Sequence, residues 1–578
     1  MVFNKIKEKK EEWEEKTLKP ALSRFKLKES PTRYYTPADL ERFDFLEKVG
    51  FPGEYPFTAG VYPLYPYAAG TKRGGVIQTA PGLRRAGQYS GYGTAEDTRD
   101  YYKRIAALGA RSGPNLAMDL PTQCGYDSDN PLIKGEVGKV GVAIDTLRDL
   151  EVIYEAFQDD RDLDKIASNF TINAPANIIV AMYIALAEKR GIAPEKLKGT
   201  PQNDILKEFV ARGTYIFPPR QSMRLLRDSL VFFTKHLPGM NVTSIGGYHI
   251  REAGATREQD LAFSMAIGMA YLQCGVEAGL DIDEFAPKFS FNAFGGSMEF
   301  FKEIAFQRAA RRMWARILRE KFNSKNPRSW LIRQPFGAHI GCSSTTKQRP
   351  LNNLTRSAVG AIASALSGAP PNAVPPYDEP LGLGWSMEAV QLSEDAGRIL
   401  QYEARITDVM DPLAGSYYVE TLTNEIEEAA WQELEKIELM GGVIAAIESG
   451  YMQREIAKSA HERQMRIERG EDLVVGVNCF TDESEIEVTV NRVVPYPYDP
   501  QKRAEAEQSQ IKNLARVRET RDNRLVIRLL KELKEATKKE EENLIPYFVE
   551  CAKAYVTEQE MCDVLREVFG EYEVTSIF

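Results

Sequence analysis

From about residue 85 to residue 400 the chain repeats one unit, a short strand-like segment followed by an amphipathic helix, and this alternation limits the fold more than any other feature. The expected strands are Asn115 to Leu120, Asn169 to Asn173, Leu197 to Gln202, Val242 to His249, Lys288 to Ala293, Trp330 to Gln334 and Asn372 to Pro376. Alternating strands and helices build a parallel sheet, and about eight units over this length favour a closed (β/α)8 TIM-type barrel over an open sheet. Several strands carry Ser, Thr, Asn and Gln where an ordinary barrel interior holds Val, Ile and Leu. A barrel lined in this way has a polar axis with room for a long polar ligand.

Two flanking regions break the alternation. Residues 1–45 read as a charged helix, Lys5 to Thr17, and a Pro-containing extended arm, Leu27 to Pro37, with too little apolar periodicity for a core. They are expected to pack on something else, as a subunit contact. Residues 46–420 form the expected barrel and 421–578 a helical region. Its helices are expected over Thr423 to Met440, Gly442 to Arg469, Pro500 to Ala536, Glu540 to Val556 and Thr557 to Phe569. Val493 to Pro500 is the candidate linker.

The chain's 578 residues exceed one ordinary domain, and its net charge of −9 offers no basic field to nucleic acid. The first ten residues carry charge where a secretory leader needs an apolar run, and no apolar stretch reaches the ~18 residues of a membrane span. A cytoplasmic location is expected. The six cysteines (Cys124, Cys274, Cys342, Cys479, Cys551 and Cys562) form no C-x-x-C pair, as expected of reduced, unconnected thiols.

His249 is one of only four histidines, so no metal cluster is expected. It follows Ser244-Ile245-Gly246-Gly247-Tyr248, which reads as a buried strand whose end admits a close approach, and it precedes a helix starting near Thr256. That puts the imidazole at a strand's carboxyl end, where α/β barrels keep their chemistry.

Longer motifs carry a resemblance. Phe51-Pro52-Gly53-Glu54-Tyr55-Pro56-Phe57-Thr58, Asp119 to Asp129 (DLPTQCGYDSD), Gly135-Glu136-Val137-Gly138, Gln202 to Glu208 (QNDILKE), Arg212 to Pro219 (RGTYIFPP) and Asp411 to Tyr418 (DPLAGSYY) stand in one order over nearly the whole chain. In these the chain resembles the large subunit of the methylmalonyl-CoA mutase family. The resemblance implies adenosylcobalamin-dependent carbon-skeleton isomerisation of an acyl-CoA thioester, with the coenzyme A arm threading the barrel. None of His236, His249, His339 and His461 stands in the family's D-x-H-x-x-G cobalamin motif. The resemblance therefore implies a separate small cobalamin-binding subunit with that motif, and a hetero-oligomer, with no nucleic acid or membrane partner.

By the same resemblance His249 hydrogen-bonds the thioester carbonyl and Gln202 stands near it. Arg212 grips a free substrate carboxylate, and Tyr89 wedges against the substrate and helps displace the adenosyl group. A planar guanidinium can hold a carboxylate through two parallel hydrogen bonds. Tyr248 and Asn203 are further polar candidates beside the matched pair. Asn115, Asn169, Thr171 and Thr200 are expected to line the tunnel. Tyr62, Tyr65, Gln88, Lys288 and Ser344 complete the expected substrate contacts, with Lys288 standing where the family has an arginine.

Three stretches depart from the family pattern. The approach to the tyrosine, Tyr67 to Gln88, is longer and Gly-rich, with Gly87 in place of an arginine. Gln334 to Gly341 and Ser367 to Pro375 replace stretches that carry glutamine and histidine in the family. Retention of both Tyr89 and Arg212 favours a carboxylated acyl-CoA: methylmalonyl-CoA/succinyl-CoA, or a succinyl-CoA bearing an alkyl or aryl group. The alternatives are a hydroxylated or uncarboxylated acyl-CoA, such as 2-hydroxyisobutyryl-CoA or isobutyryl-CoA, and a non-catalytic scaffold for a cobalamin-binding partner.

Overall fold

The computed structural model describes residues 2–30, 33–41, 43–63, 89–107, 113–292, 294–333, 339–340, 342–368, 375–381, 386–406, 408–481 and 499–574. Tyr65, the whole Tyr67 to Gln88 stretch, most of Gln334 to Gly341, residues 369–374 and most of the linker candidate Val493 to Pro500 lie outside them.

Eight short strands are present: β1 Tyr89–Ser90, β2 Asn115–Ala117, β3 Ser168–Thr171, β4 Gly199–Pro201, β5 Thr243–Ile245, β6 Phe289–Phe291, β7 Gly295–Gly296 and β8 His339–Ile340. β1 to β4 pair in order and in parallel, as do β5 with β6 and β7 with β8. Single backbone bonds continue the succession. Asn241 and Ser244 donate to the carbonyls of Gly199 and Gln202, joining β4 to β5, and Phe291 donates to Arg333 beyond β6.

The architecture is thus mixed α/β and parallel, but closure into an eight-stranded ring is not seen among the described residues. Residues 330 to 333 form a turn and an irregular segment rather than the expected strand, and most of the Asn372 to Pro376 candidate is outside the described residues.

The strands sort their side chains by alternation. One face meets the helices. Ser168 and Phe170 of β3 touch Tyr183 of helix Ala176–Lys189, at 3.0 Å between hydroxyls and 5.2 Å between rings. Phe291 of β6 packs edge-on against Trp314 of helix Phe300–Arg316. The opposite face holds Asn115, Asn169, Thr171, Thr200, Ser244 and Ser290, all small and polar, and the first four are only half buried. The large apolar side chains lie on the outer face.

The N-terminal helix runs further than its sequence pattern predicts. Val2–Trp13 continues through a π turn, Glu14–Leu18, into Lys19–Arg24. Pro20 falls in the first turn of that last segment, where a missing N–H costs little, and the wider π turn absorbs the mismatch. The arm then folds back, with Trp13 on Tyr34 and Tyr35 on Tyr418 of helix Tyr417–Leu439.

The helical region packs on the helix layer around the sheet. Arg308 and Arg312 of helix Phe300–Arg316 are buried and pair with Asp411, Glu420 and Glu427. A second seam, between the loops after β2 and the last helices, is rich in buried carboxyls. Asp145 and Asp149 share the Gln510 amide at 2.7 and 2.9 Å, and Asp127 takes Arg518 and the Gln559 N–H. Glu558 is fully buried there with neither carboxyl oxygen hydrogen-bonded. Among the described residues no helix is long and apolar enough to cross a membrane. Cys124, Cys274, Cys479, Cys551 and Cys562 are free thiols.

Candidate active site

Four of the expected residues form one row across the sheet. The register pairs Tyr89 with Asn115, Asn115 with Asn169, and Asn169 with Thr200. Side chains extend the row: Asn241 donates to the Thr200 hydroxyl at 2.7 Å and accepts from Arg333 at 3.2 Å. Tyr62, largely exposed, lies near enough to Arg333 to feel its charge.

Lys288 precedes β6, and its ammonium donates to the Phe233 and Thr234 carbonyls near the end of helix Pro219–His236. It therefore sits at the amino end of the sheet, and burial lowers its affinity for the proton.

The carboxyl ends of the strands carry a denser network. Asn173, two residues beyond Thr171, accepts the Asp204 N–H and donates to Gln202 Oε1 at 2.9 Å and Glu208 Oε1 at 2.7 Å. Lys207, fully buried, donates to Gln202 Oε1 at 3.1 Å and to Glu208. Glu208 also takes the Thr214 N–H at 3.1 Å and stands 3.5 Å from Arg212. Arg212 reaches across to Gln123 Oε1 at 2.6 Å. Gln123 in turn donates to the Met118 carbonyl, just past β2.

Electrostatically this cluster is balanced. Burial works to raise the Glu208 carboxyl, but the Lys207 and Arg212 cations more than reverse it and hold it below the ordinary value. Burial dominates for Lys207, whose affinity for the proton falls despite Glu208.

The backbone that leads into His249 is joined to the same network through Asp204. Its carboxylate accepts the Gly246 N–H at 2.7 Å and the Tyr271 hydroxyl at 2.8 Å, and burial pushes it up to about 6. The expected strand end differs from what is found. β5 stops at Ile245, and His249 lies within a short helix, Gly247–Glu252, that precedes the one beginning after Thr256. Gly247 permits this tight seat, because a Cβ there would come within 2.4 Å of Asp260 and 2.5 Å of Ser264. The Tyr248 and His249 rings lie 3.9 Å apart. Ser344 is buried near the far end of this helix, where the neighbouring Ser343 hydroxyl donates to Glu252 at 3.0 Å.

One candidate is turned away. Asn203, in left-handed backbone at φ 45°, donates to Ser229 and the Val242 carbonyl in the helix layer. The structure thus links Gln202 and Arg212 through Asn173, Lys207 and Glu208, ties the backbone before His249 to the same network through Asp204, and sets Asn115, Asn169 and Thr200 in a row beneath them. For Tyr89 only the backbone position is given.

Sequence reasoning missed Gln123, Asn173, Asp204, Lys207 and Glu208 as site residues. Asn173 had a signal, since it continues the alternation of Asn169 and Thr171. Lys207-Glu208 stand in the Gln202 to Glu208 motif, but nothing local signals their burial, because an adjacent charged pair usually faces water.

Comparison with known proteins places nearly the whole chain among relatives. The sequence model of methylmalonyl-CoA mutase matches residues 27–571. The large subunit of 2-hydroxyisobutanoyl-CoA mutase from Aquincola tertiaricarbonis is 39% identical over 94% of this chain and 92% of its own length. The methylmalonyl-CoA mutase large subunit of Streptomyces virginiae is 37% identical over 93% of this chain and 70% of its own. Human mitochondrial methylmalonyl-CoA mutase is 38% identical over 90% of this chain, which spans only 66% of that protein. On this evidence the chain belongs to the methylmalonyl-CoA mutase family.

Proposed function

We propose that this chain is the catalytic large subunit of an adenosylcobalamin-dependent mutase that isomerises a carboxylated acyl-CoA. The observation that carries the reading is the polar inner face, a cross-strand row of small polar groups leading to a network that holds a guanidinium and an amide at the strands' carboxyl ends and fixes the backbone just before His249. Such a face suits the pantetheine arm of coenzyme A threading a closed barrel. Lys288 and Tyr62 are placed toward the amino end, where the nucleotide would emerge.

His249 and Gln202 hold the thioester carbonyl, and a neutral donor aimed at developing charge in a dry site contributes several kcal/mol to barrier lowering. Arg212 orients the free carboxylate, and Tyr89 keeps the reacting carbon in place. Adenosylcobalamin, when bound, supplies the carbon-centred radical that begins and ends the rearrangement. His236 lies against Phe232 at the end of its helix, and His461 is exposed on helix Tyr451–Glu468. A histidine to hold the cobalamin would come from a small partner subunit, a reading that the large-subunit names of the relatives support.

The 2-hydroxyisobutanoyl-CoA mutase relative favours a second reading, a hydroxylated acyl group. Reconstitution with the small subunit and adenosylcobalamin separates the two. Carboxylated thioesters, including substituted succinyl-CoA, should be isomerised, and Arg212→Gln should lower kcat/KM for them by about 100-fold, or ~3 kcal/mol. Turnover confined to 2-hydroxyisobutanoyl-CoA and indifferent to Arg212→Gln would establish the second reading. Inertness towards every acyl-CoA would leave the scaffold.

A further inference from the structure

The orientation of the Gln202 amide is settled by a chain of donors whose identity is not in doubt. The Asp204 backbone N–H can only donate, and it donates to Asn173 Oδ1 at 2.9 Å. The other end of Asn173 is therefore its NH2 group, which donates to Gln202 at 2.9 Å and to Glu208 at 2.7 Å. The Lys207 ammonium, which also can only donate, reaches the same atom of Gln202 at 3.1 Å. Two donors converge on one end of the amide, so that end is the oxygen, and the NH2 end is left for the interior of the barrel.

We propose that Lys207 is a positioning residue that fixes Gln202 as a hydrogen-bond donor to the substrate's thioester carbonyl. The assignment rests on the acyl-CoA reading above and adds to it the reason the amide cannot turn over. Without the ammonium only the Asn173 NH2 group holds that oxygen, so the amide turns over more readily, and an amide oxygen facing a carbonyl oxygen repels it. Glu208 is the counter-charge that lets an ammonium stay in so dry a place, and Thr214 and Asn173 saturate that carboxylate from the other side. The same carboxylate stands beside Arg212, so one pair of adjacent residues sets both the donor on the thioester and the cation for the acyl carboxylate.

The test uses the reconstituted holoenzyme, an acyl-CoA labelled with 13C at the thioester carbonyl, and the infrared stretch of that carbonyl in the bound state. In the native enzyme the stretch should fall below its value in water. Two variants are compared. Lys207→Met combined with Glu208→Gln removes the ammonium without stranding its partner. Gln202→Glu keeps shape, burial and the Lys207 contact but presents an acceptor to the cavity. Both should return the stretch towards its value in water and lower kcat by about 10- to 100-fold, with KM changed by less than about threefold.

A purely structural role for Gln202 predicts that Gln202→Glu, with its stronger bond to Lys207, keeps the native stretch and kcat, and that result would overturn the assignment. A native-like stretch and kcat in the double variant would do the same. Absence of any bound carbonyl signal in the native enzyme would overturn the acyl-CoA reading itself and this assignment with it.

Discussion

Two buried polar clusters lie within the same fold, and they meet the cost of burial in opposite ways. At the strand ends, Glu208 sits between Lys207 and Arg212, every one of its contacts is a donor, and it remains ionised. At the seam with the last helices, Asp127, Asp145, Asp149 and Glu558 crowd together with amides and one flanking arginine, and burial drives their carboxyls upward. The first cluster keeps its charges by pairing them; in the second, burial raises the affinity of the carboxyls for protons. Paired charge retained in a dry place suits recognition of an anionic, polarisable substrate, whereas the second cluster joins two parts of the fold.

The comparison breaks most readily at Glu208. Removing one member of a buried pair leaves the other uncompensated, so Glu208→Ala should cost about 3–5 kcal/mol, and Lys207→Met alone a similar amount. The double variant Lys207→Met/Glu208→Gln should cost less than the two single losses combined, because neither charge is then stranded. Chemical denaturation reads all three. Single losses below about 1 kcal/mol would mean that the pair is solvated and the cluster is not held by charge.

The seam predicts a pH dependence of definite sign. Burial lifts Asp127 to about 6 from an ordinary value near 3.8. Its folded form then binds protons more tightly than the unfolded chain does. Stability associated with that proton is fully present below the unfolded value and is lost as pH rises through the folded one. Between about pH 4 and pH 6 stability should therefore fall by up to about 1.4 kcal/mol per pH unit per such carboxyl. The Asp145 and Glu558 carboxyls, raised further by burial and by each other, extend the decline to higher pH. A stability maximum on the acidic side, with the last helices losing amide protection first as pH rises, is the expected pattern. Stability that instead rises over this window would show the seam to be paired like the site.

Glu558→Gln sharpens the same point. The native carboxyl has no hydrogen-bond partner on either oxygen and faces Asp127 and Asp145. An uncharged amide brings two donors to those acceptors, so the variant should be more stable than the native protein by about 2 kcal/mol at pH 8 and no more stable near pH 4. A destabilised variant at both pH values would mean that the carboxyl shape, not its charge, matters there.

How much of this was legible in the sequence depended on whether local pattern or tertiary packing decided the matter. Asn115, Asn169 and Thr200 fall on strands where the alternation put them, because a strand's two faces are fixed by its own period. The small polar inner face followed from the same period. His249 was placed at the right end of the right strand, yet its short helix was not foreseen, since Gly246-Gly247 reads as a break. That helix exists because Asp204 takes the Gly246 N–H and because Gly247 alone fits against Asp260, two contacts from elsewhere in the chain. Burial of Lys207 was illegible for the same reason. Its environment is made by Asn173 and Gln202 and by helices distant in sequence, and no local signal separates it from an exposed lysine.

The row beneath the site gives the smallest effect. Thr200→Val is nearly isosteric and removes one hydrogen bond, that from Asn241 at 2.7 Å, which leaves Asn241 with Arg333 as its remaining side-chain partner. The loss should be about 1 kcal/mol. Because Thr200 lies one register step from Asn169 and below the strand ends that hold Gln202 and His249, it belongs to the binding track rather than to the reacting end. KM for the acyl-CoA should then rise by about fivefold with kcat unchanged, the signature of contacts equally strong in ground and transition states. A fall in kcat at unchanged KM would place Thr200 against the reacting group instead. The polar row and the charged network would then be one functional unit, rather than a track and a site set one above the other.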